Sequence, residues 1–400
     1  MTIRRVPEDF RVKEELTPEF LGGVAARSGR GETHAVFELE KRGLTTPDAC
    51  AGLGRALGVR ASAVERAGLK DMHAETTQWV SVEWKRADPP VERLEGKSWR
   101  AALRGWSARG IRAEDIARNR FEIVVRDLSA PSADEMGKRA GFLRAGADLE
   151  IVNYFGDQRF GSARHGEGLA GAHLVRGEFE QALRLLIATP ARKESGRRRA
   201  ISRPCASGWG EWKRLAVELP PSGERRAIEV LAGGGSFRDA FAALPYLTQS
   251  MAVEAFQSFL WNRAACEVVR EVAGAERVLV AEDPFGEMLF PGPARVSAEL
   301  RGMMAVLPSA ESRPAGGWGV AMERVMVREG LTFEGLRVPG LRRPAFGAAE
   351  RPLVVAAAGF ELSATERDEM VQPRNRFKRT AVFSLPRGAY ATVVLRALGQ

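Results

Sequence analysis

The chain has 400 residues, with 60 lysines and arginines against 51 acidic residues and a formal net charge of +9. Hydrophobic residues at 44% and charged residues at 28% exclude a disordered or fibrous chain and supply apolar material for two or three domains. The basic balance favours a polyanionic partner such as nucleic acid, although charge alone also suits a protein that is merely basic.

Two early stretches, FRVKEEL from Phe10 and HAVFELEKRG from His34, alternate apolar and polar residues and predict strands with one covered face. TPDACAGLGRALGV, from Thr46 to Val59, predicts a short helix capped by Thr46, with Pro47 at its first position and its end near Gly58. SAVERAG predicts a second short helix. It leads into Gly68, whose access to positive φ suits a sharp turn before the strand QWVSVEW. FEIVVRDL is the next strand, and PSADEMGKRAGFLRAGA is a helix with Pro131 near its start. These elements lack the regular beat of a doubly wound sheet, so the first 150 or so residues read as an α+β domain.

After Val152 the character changes. NYFGDQRFGSARHGEGLAGAHLV is glycine-rich, aromatic and basic, and helical periodicity follows in EFEQALRLLIA and in LTQSMAVEAFQSFLWNRAACEVVREV. A second, mainly helical domain is expected. PARKESGRRRAISR and ELPPSGERRA read as exposed connectors, and the GGGS from Gly233 as a turn between helices, since no strand precedes it. RTAVFSLPRGAYATVVLRALGQ returns to a strand followed by a helix.

Cys50, Cys205 and Cys266 lie too far apart to suggest a disulfide framework, which points to a reducing compartment. His34, His73, His165 and His173 show no zinc-ligand spacing, so no metal is expected. MTIRRVPEDF lacks a signal-peptide core, and no run approaches the roughly 20 apolar residues of a membrane span. A cytoplasmic protein is the simplest reading.

Three stretches could carry chemistry. In GLKDMHAETTQWVSV, Asp71 follows a glycine turn and adjoins Lys70. An aspartate held ionised there can be a nucleophile, a general base or half of an ordinary ion pair. NYFGDQRFG, from Asn153 to Gly161, combines rings and a guanidinium in the way unstacked RNA bases require, yet Tyr154, Phe155 and Phe160 equally suit a buried junction. ARNRFEIVV puts Asn119 and Phe121 at the entry to a strand, where a phenylalanine is ordinarily core.

Taken together these stretches resemble the TruD family of tRNA pseudouridine synthases. The family's G-x-K-D-x-x-A-x-T-x-Q motif is matched by Gly68, Lys70, Asp71, Ala74, Thr76 and Gln78. Its K-x-x-P-E-D-F element resembles RRVPEDF, its G-E-H-x-x-x-x-L-x-K stretch resembles GETHAVFELEKRG, and its N-x-F matches Asn119 and Phe121. N-Y-F-G-x-Q-R-F-G is present in full from Asn153, and the closing G-S-F-A-T-x-V-x-R-E pattern resembles RGAYATVVLRAL.

The resemblance implies an α+β pseudouridine-synthase catalytic domain with a mixed, mainly antiparallel sheet. It would comprise residues 1–152 and 342–400, interrupted by a large, mainly helical α+β insertion at 153–341. It implies isomerisation of uridine to pseudouridine in tRNA, at uridine 13 in the D-arm region, with Asp71 as the catalytic aspartate. The carboxylate would attack the sugar, attack the base or remove a sugar proton. No cofactor is needed, because the isomerisation moves no electrons off the substrate. Arg4 stands where the family has a lysine, with Arg5 adjacent, and would pair with Asp71. Lys70 would contact a phosphate or tune Asp71, Asn119 would fix backbone or base, and Phe121 would stack on the flipped uracil. Gln78 and Thr76 would brace the loop.

RNA contacts are expected from Tyr154, Phe155, Gln158, Arg159, Phe160, Arg197, Arg198 and Arg199, the last three in a run with Arg192, Lys193 and Arg203. The expected partner is tRNA, with no membrane and no metal, and the chain is expected to act as a monomer. The same chemistry on a messenger or ribosomal RNA, or tRNA binding without catalysis, are the alternatives.

Overall fold

A computed structural model describes residues 2–29, 31–86, 88–161, 167–190, 194–292, 296–372 and 375–400. The chain divides into two compact units, Met1–Glu150 with Val355–Gln400, and Ile151–Val354.

The first unit is built on strands β1 (Phe10–Leu16), β2 (His34–Arg42), β3 (Val64–Arg66), β4 (Glu75–Glu83), β5 (Arg93–Gly96), β6 (Trp99–Ser107), β7 (Ile116–Leu128), β8 (Arg144–Ala145) and β9 (Asp148–Val152). The sheet runs β5-β6-β2-β4-β1-β7, then Phe377–Pro386, Val354–Leu362, β9 and β8. It is mixed: β1 and β4 are parallel, whereas β7 is antiparallel to both β1 and Phe377–Pro386. Helices α1 (Pro18–Gly22), α2 (Thr46–Leu57) and α3 (Ala130–Leu143) accompany these strands. This is the α+β architecture that the sequence predicts.

Local chemistry sets the details. Thr45 rather than Thr46 caps α2, accepting from the Asp48 amide, and Gly58 closes the helix in the left-handed region at φ 66°. That shift of one residue frees the Thr46 hydroxyl for another task. Ala35, Phe37 and Leu39 of β2 pack with Cys50, Leu53 and Leu57 of α2 and with Val64, Val80 and Val82 in one core cluster. The SAVERAG helix does not form. Ala61–Ala63 is a single 3-10 turn, and Val64–Arg66 pairs as β3 with Ser81 and its neighbours in β4, because burying Val64 outweighs a helix too short to sustain itself. Gly68 stays outside the left-handed region, and nothing lies within 4 Å of where its Cβ would be.

The second unit is mainly helical. Tyr246–Ala273 is its long axis, with Ala252, Val253, Phe256, Leu260, Trp261, Ala264, Ala265, Val268 and Val269 all buried, and a hairpin of Val278–Asp283 with Gly286–Pro291 packs on it. PARKESGRRRAISR is not a simple connector: Ser195 caps a helix over Gly196–Ser207. Arg192 and Lys193 lie outside the described residues. ELPPSGERRA likewise joins the end of Trp212–Glu218 to Gly223–Ala232, and the glycines after it are a turn before Phe237–Ala242. Residues 342–353 stay with this unit rather than rejoining the first, since Glu350–Pro352 pairs with Met304–Val306 and Leu353 donates to the Met303 carbonyl. Among the described residues no helix is long and apolar enough to cross a membrane, and no group of three or more His, Cys, Asp or Glu is arranged to hold a metal ion.

Candidate active site

The site is written in the pleat of the sheet. Lys41 of β2 lies opposite Thr76 of β4, Thr76 beside Val12 of β1, Val12 opposite Phe121 of β7, and Phe121 opposite Phe383. In a neighbouring row Leu39 lies opposite Gln78, and Glu14 opposite Asn119, which faces Leu385. Side chains at paired positions share a face of a sheet, so residues far apart in sequence converge.

The loop between β3 and β4 carries Asp71, whose side chain is 19% exposed. Its Oδ1 accepts the His73 amide at 2.8 Å, and its Oδ2 lies 3.0 Å from Arg4 Nη2. One oxygen is held by the loop itself and the other faces a full positive charge. Arg4, not Arg5, is the partner: the Arg5 side chain is exposed and its amide donates to Asp9.

RRVPEDF can now be read letter by letter. Pro7 opens a 3-10 turn, and Asp9 accepts the amides of Arg5 and Val6 while pairing with Arg126 at 2.8 Å. Glu8 pairs with Arg42. The ring of Phe10 carries the Arg4 guanidinium 4.4 Å above its centroid and meets Phe121 edge-on at 6.1 Å. Phe121, half-buried, leans in turn on Phe383 at 5.6 Å.

Lys70 is held in a different way from the expected one. Its ammonium lies 2.7 Å from Glu14 Oε1 and donates at 2.7 Å to Asn119 Oδ1. Glu14 is buried and its other oxygen accepts the Trp79 amide. Lys70 therefore pins the loop to β1 and β7 through Glu14 and Asn119. Asn119 accordingly holds Lys70. Thr46 adds a further brace, accepting the Lys70 amide at 3.0 Å and donating to Gln78 Oε1 at 3.0 Å. Gln78 and Thr76 are buried beside it.

Two residues to which the sequence assigns no role belong here: Glu14, and Lys41, which stands at the lysine of the G-E-H-x-x-x-x-L-x-K stretch. Both had a visible signal. Phe10, Val12, Glu14 and Leu16 occupy inward positions of β1, and Ala35, Phe37, Leu39 and Lys41 those of β2, so each strand carries one charge on an otherwise apolar stripe.

In the second unit NYFGDQRFG is fastened to one stripe of the long helix. Asn262 clamps the backbone of Phe155 with two 2.9 Å hydrogen bonds, Ser258 accepts from Arg159 Nε, and Glu254 pairs with Arg159 at 2.7 Å. Tyr154 is fully buried. Its hydroxyl donates to the Leu289 carbonyl, and burial pushes its pKa well up. The ring of Phe155 packs edge-on to Trp261 and under Arg351, and Phe160 stacks on Phe285 at 4.5 Å. These three rings are interior, so the expectation of open stacking faces is corrected. Gln158 is exposed and Arg159 partly so. Of the arginine run, Arg197 and Arg199 are exposed, whereas Arg198 pairs with Glu224 at 2.9 Å and donates to the Leu186 carbonyl, which makes it a brace.

Comparison with known proteins fits this geometry. The family model described as tRNA pseudouridine synthase D (TruD) matches residues 1–289. The chain is 27% identical to tRNA pseudouridine synthase D of Aquifex aeolicus, over 99% of this chain and 97% of that one. It is likewise 27% identical to tRNA pseudouridine synthase D of Syntrophotalea carbinolica, over 98% and 94%. A crystal structure of a TruD-type protein from Methanosarcina mazei superposes with a TM-score of 0.71 at 23% identity, covering 99% of this chain and 92% of that one, which establishes the shared fold. The mixed sheet and these likenesses together define a pseudouridine synthase, an isomerase. Within that class the chain belongs to the tRNA pseudouridine synthase D (TruD) family.

Proposed function

We propose that this chain converts a uridine of tRNA to pseudouridine, at position 13 in the D-arm region, with Asp71 as the catalytic aspartate. The observation that carries the reading is the Asp71 carboxylate, fixed by the His73 amide and the Arg4 guanidinium while still partly exposed. A carboxylate oriented before the substrate arrives is what attack on sugar or base, or removal of a sugar proton, requires. Arg4 faces it through one nitrogen, Nη2, 3.0 Å from Oδ2. Phe121, backed by Phe10 and Phe383, offers the platform for an extruded uracil.

The first unit serves as the catalytic domain and the second as the family's insertion. Exposed Arg197, Arg199 and Gln158, with Arg159, are its candidate RNA contacts, and the enzyme works in the cytoplasm as a monomer. The deciding measurement is a pseudouridine map of cellular RNA with and without this protein, followed by the reaction of purified protein with tRNA. Loss of one signal at tRNA position 13 supports the reading. Loss at a messenger or ribosomal site, or tRNA binding without any pseudouridine, overturns it.

Two further outcomes are expected. Phe121→Ala lowers turnover roughly 10- to 100-fold, the worth of one stacked base, while tRNA affinity, dominated by phosphates, stays within about 3-fold. Equal losses in single-turnover rate and in binding would deny the platform role. Replacing Arg197 and Arg199 together by glutamine reduces the slope of log affinity against log salt by about 1 for each phosphate contact removed. A titration over several salt concentrations reads this directly.

A further inference from the structure

Lys41 occupies the next inward position of β2 after Leu39, in a stripe that is otherwise core. It is 2% exposed and among the largest fully buried side chains of the protein. A methionine would fill the same space without burying a charge, so the ammonium calls for a reason. Among the described residues its hydrogen bond runs to one acceptor, the backbone carbonyl oxygen of Asp71, at 2.8 Å.

The charged and titratable groups facing it are few. Lys70, on the same loop as Asp71, repels it, although Lys70 is itself neutralised by Glu14. Cys50 of α2 is buried, and burial pushes its thiol up, with Arg66 opposing, so it brings no negative charge near neutral pH. The Asp71 carboxylate, which also pairs with Arg4, is the foremost charge favouring the ammonium. Arg4 thus acts on the carboxylate from the front, and Lys41 acts on the peptide behind it.

We propose, on the reading that Asp71 is the catalytic aspartate, that Lys41 is a positioning residue for the reaction: its ammonium grips the Asp71 carbonyl and so fixes the peptide from which the carboxylate projects. Lys41 touches neither substrate nor reacting atoms. Its effect is on orientation, and a small misplacement of a reacting group is enough to slow an enzyme on the order of 10²-fold.

A pH signature follows. Burial pushes Lys41 down from 10.5 to about 8. The charge-assisted grip is full well below that value and weakens to the hydrogen bond of a neutral amine as the ammonium deprotonates above it. Stability has the opposite sign: between about 8 and 10.5 the unfolded chain binds the proton that the folded chain has released, so this group makes the fold more stable as pH rises. A fall in rate above pH 8 from this cause is therefore not accompanied by a fall in melting temperature.

The test is single-turnover pseudouridine formation on tRNA across pH 6.5 to 10, with tRNA affinity and thermal melting in parallel, for wild type, Lys41→Met, Lys41→Arg and Asp71→Asn. Wild type is expected to slow as pH rises through about 8. Lys41→Met is expected to be slower on the order of 10²-fold, to lack that limb and to bind tRNA normally. Lys41→Arg is expected to recover part of the rate and to carry it to higher pH, because a guanidinium stays charged. If Lys41→Met keeps the wild-type rate and profile, or loses affinity and rate equally, the inference fails. If the Met variant does not fold, the wild-type and Arg profiles decide: identical profiles overturn it. Full activity in Asp71→Asn would instead remove the reading on which the inference rests.

Discussion

Asp71→Asn is expected to reduce pseudouridine formation in tRNA on the order of 10³-fold or more, the range in which removing a nucleophile or base leaves only binding and orientation. Asparagine is nearly isosteric, and its side-chain oxygen can still accept the His73 amide that Asp71 Oδ1 accepts at 2.8 Å. The loop therefore keeps its turn. What disappears is the negative charge 3.0 Å from Arg4. The Arg4 guanidinium retains its seat on the Phe10 ring. Quantifying pseudouridine in tRNA after a single turnover checks the rate, and gel shift checks that tRNA still binds. A variant as active as wild type would take the carboxylate out of the mechanism.

The second large effect lies in stability. Arg126→Met is expected to destabilise the first unit by about 3–5 kcal/mol, because it strands buried carboxylates without their cation. Arg126 Nε donates to Asp9 at 2.8 Å, and Nη1 donates to Asp368 at 2.9 Å and to Glu369 at 3.2 Å. The side chains of Asp9 and Asp368 are 1% and 0% exposed. The melting transition of this unit should fall on the order of 10 °C. Arg104→Met, which removes an exposed pair with Glu38, should change stability by about 1 kcal/mol or less and serves as the comparison. Activity should suffer in Arg126→Met even well below its melting temperature. Asp9 holds the amides of Arg5 and Val6 and so aims the segment from which Arg4 reaches Asp71. Differential scanning calorimetry and single-turnover assays at low temperature separate the two effects.

Much of this site was legible because its residues sit in short motifs with ordinary chemistry. Alternation in FRVKEEL and HAVFELEKRG gave β1 and β2, and the family resemblance drew attention to Arg4, Lys70, Asp71, Asn119 and Phe121, which the sheet register brings together. Partnerships were less legible. Nothing local says whether Lys70 serves Asp71 or Glu14, since the answer lies in β1, more than 50 residues earlier. Arg126 and Asp368 are 242 positions apart, and Phe121 finds Phe383 only when the sheet closes.

The aromatic signature in the second unit is ambiguous for a related reason. Rings and a guanidinium that could greet RNA are the same groups that a long helix can bury, and Glu254, Ser258 and Asn262 at four-residue spacing decide the matter. Lys41 and Glu14 mark the opposite lapse. Strand alternation pointed both charges inward, and the polarity of the residues hid what the period showed.

The discontinuity of the first unit bears on how the protein is made. Every side chain proposed for the chemistry emerges from the ribosome by Phe121, but β7 gains its partner strand Phe377–Pro386 only after the whole of Ile151–Val354 has been synthesised. Until then a 13-residue strand presents an open edge, and Phe121 lacks the ring that backs it. A chain halted short of Phe377 is therefore expected to carry Arg4, Asp71 and Phe121 with the β7 edge uncovered and prone to pair with its neighbours. The strand Phe377–Pro386 thus covers the β7 edge and backs Phe121 only after the second unit has been made.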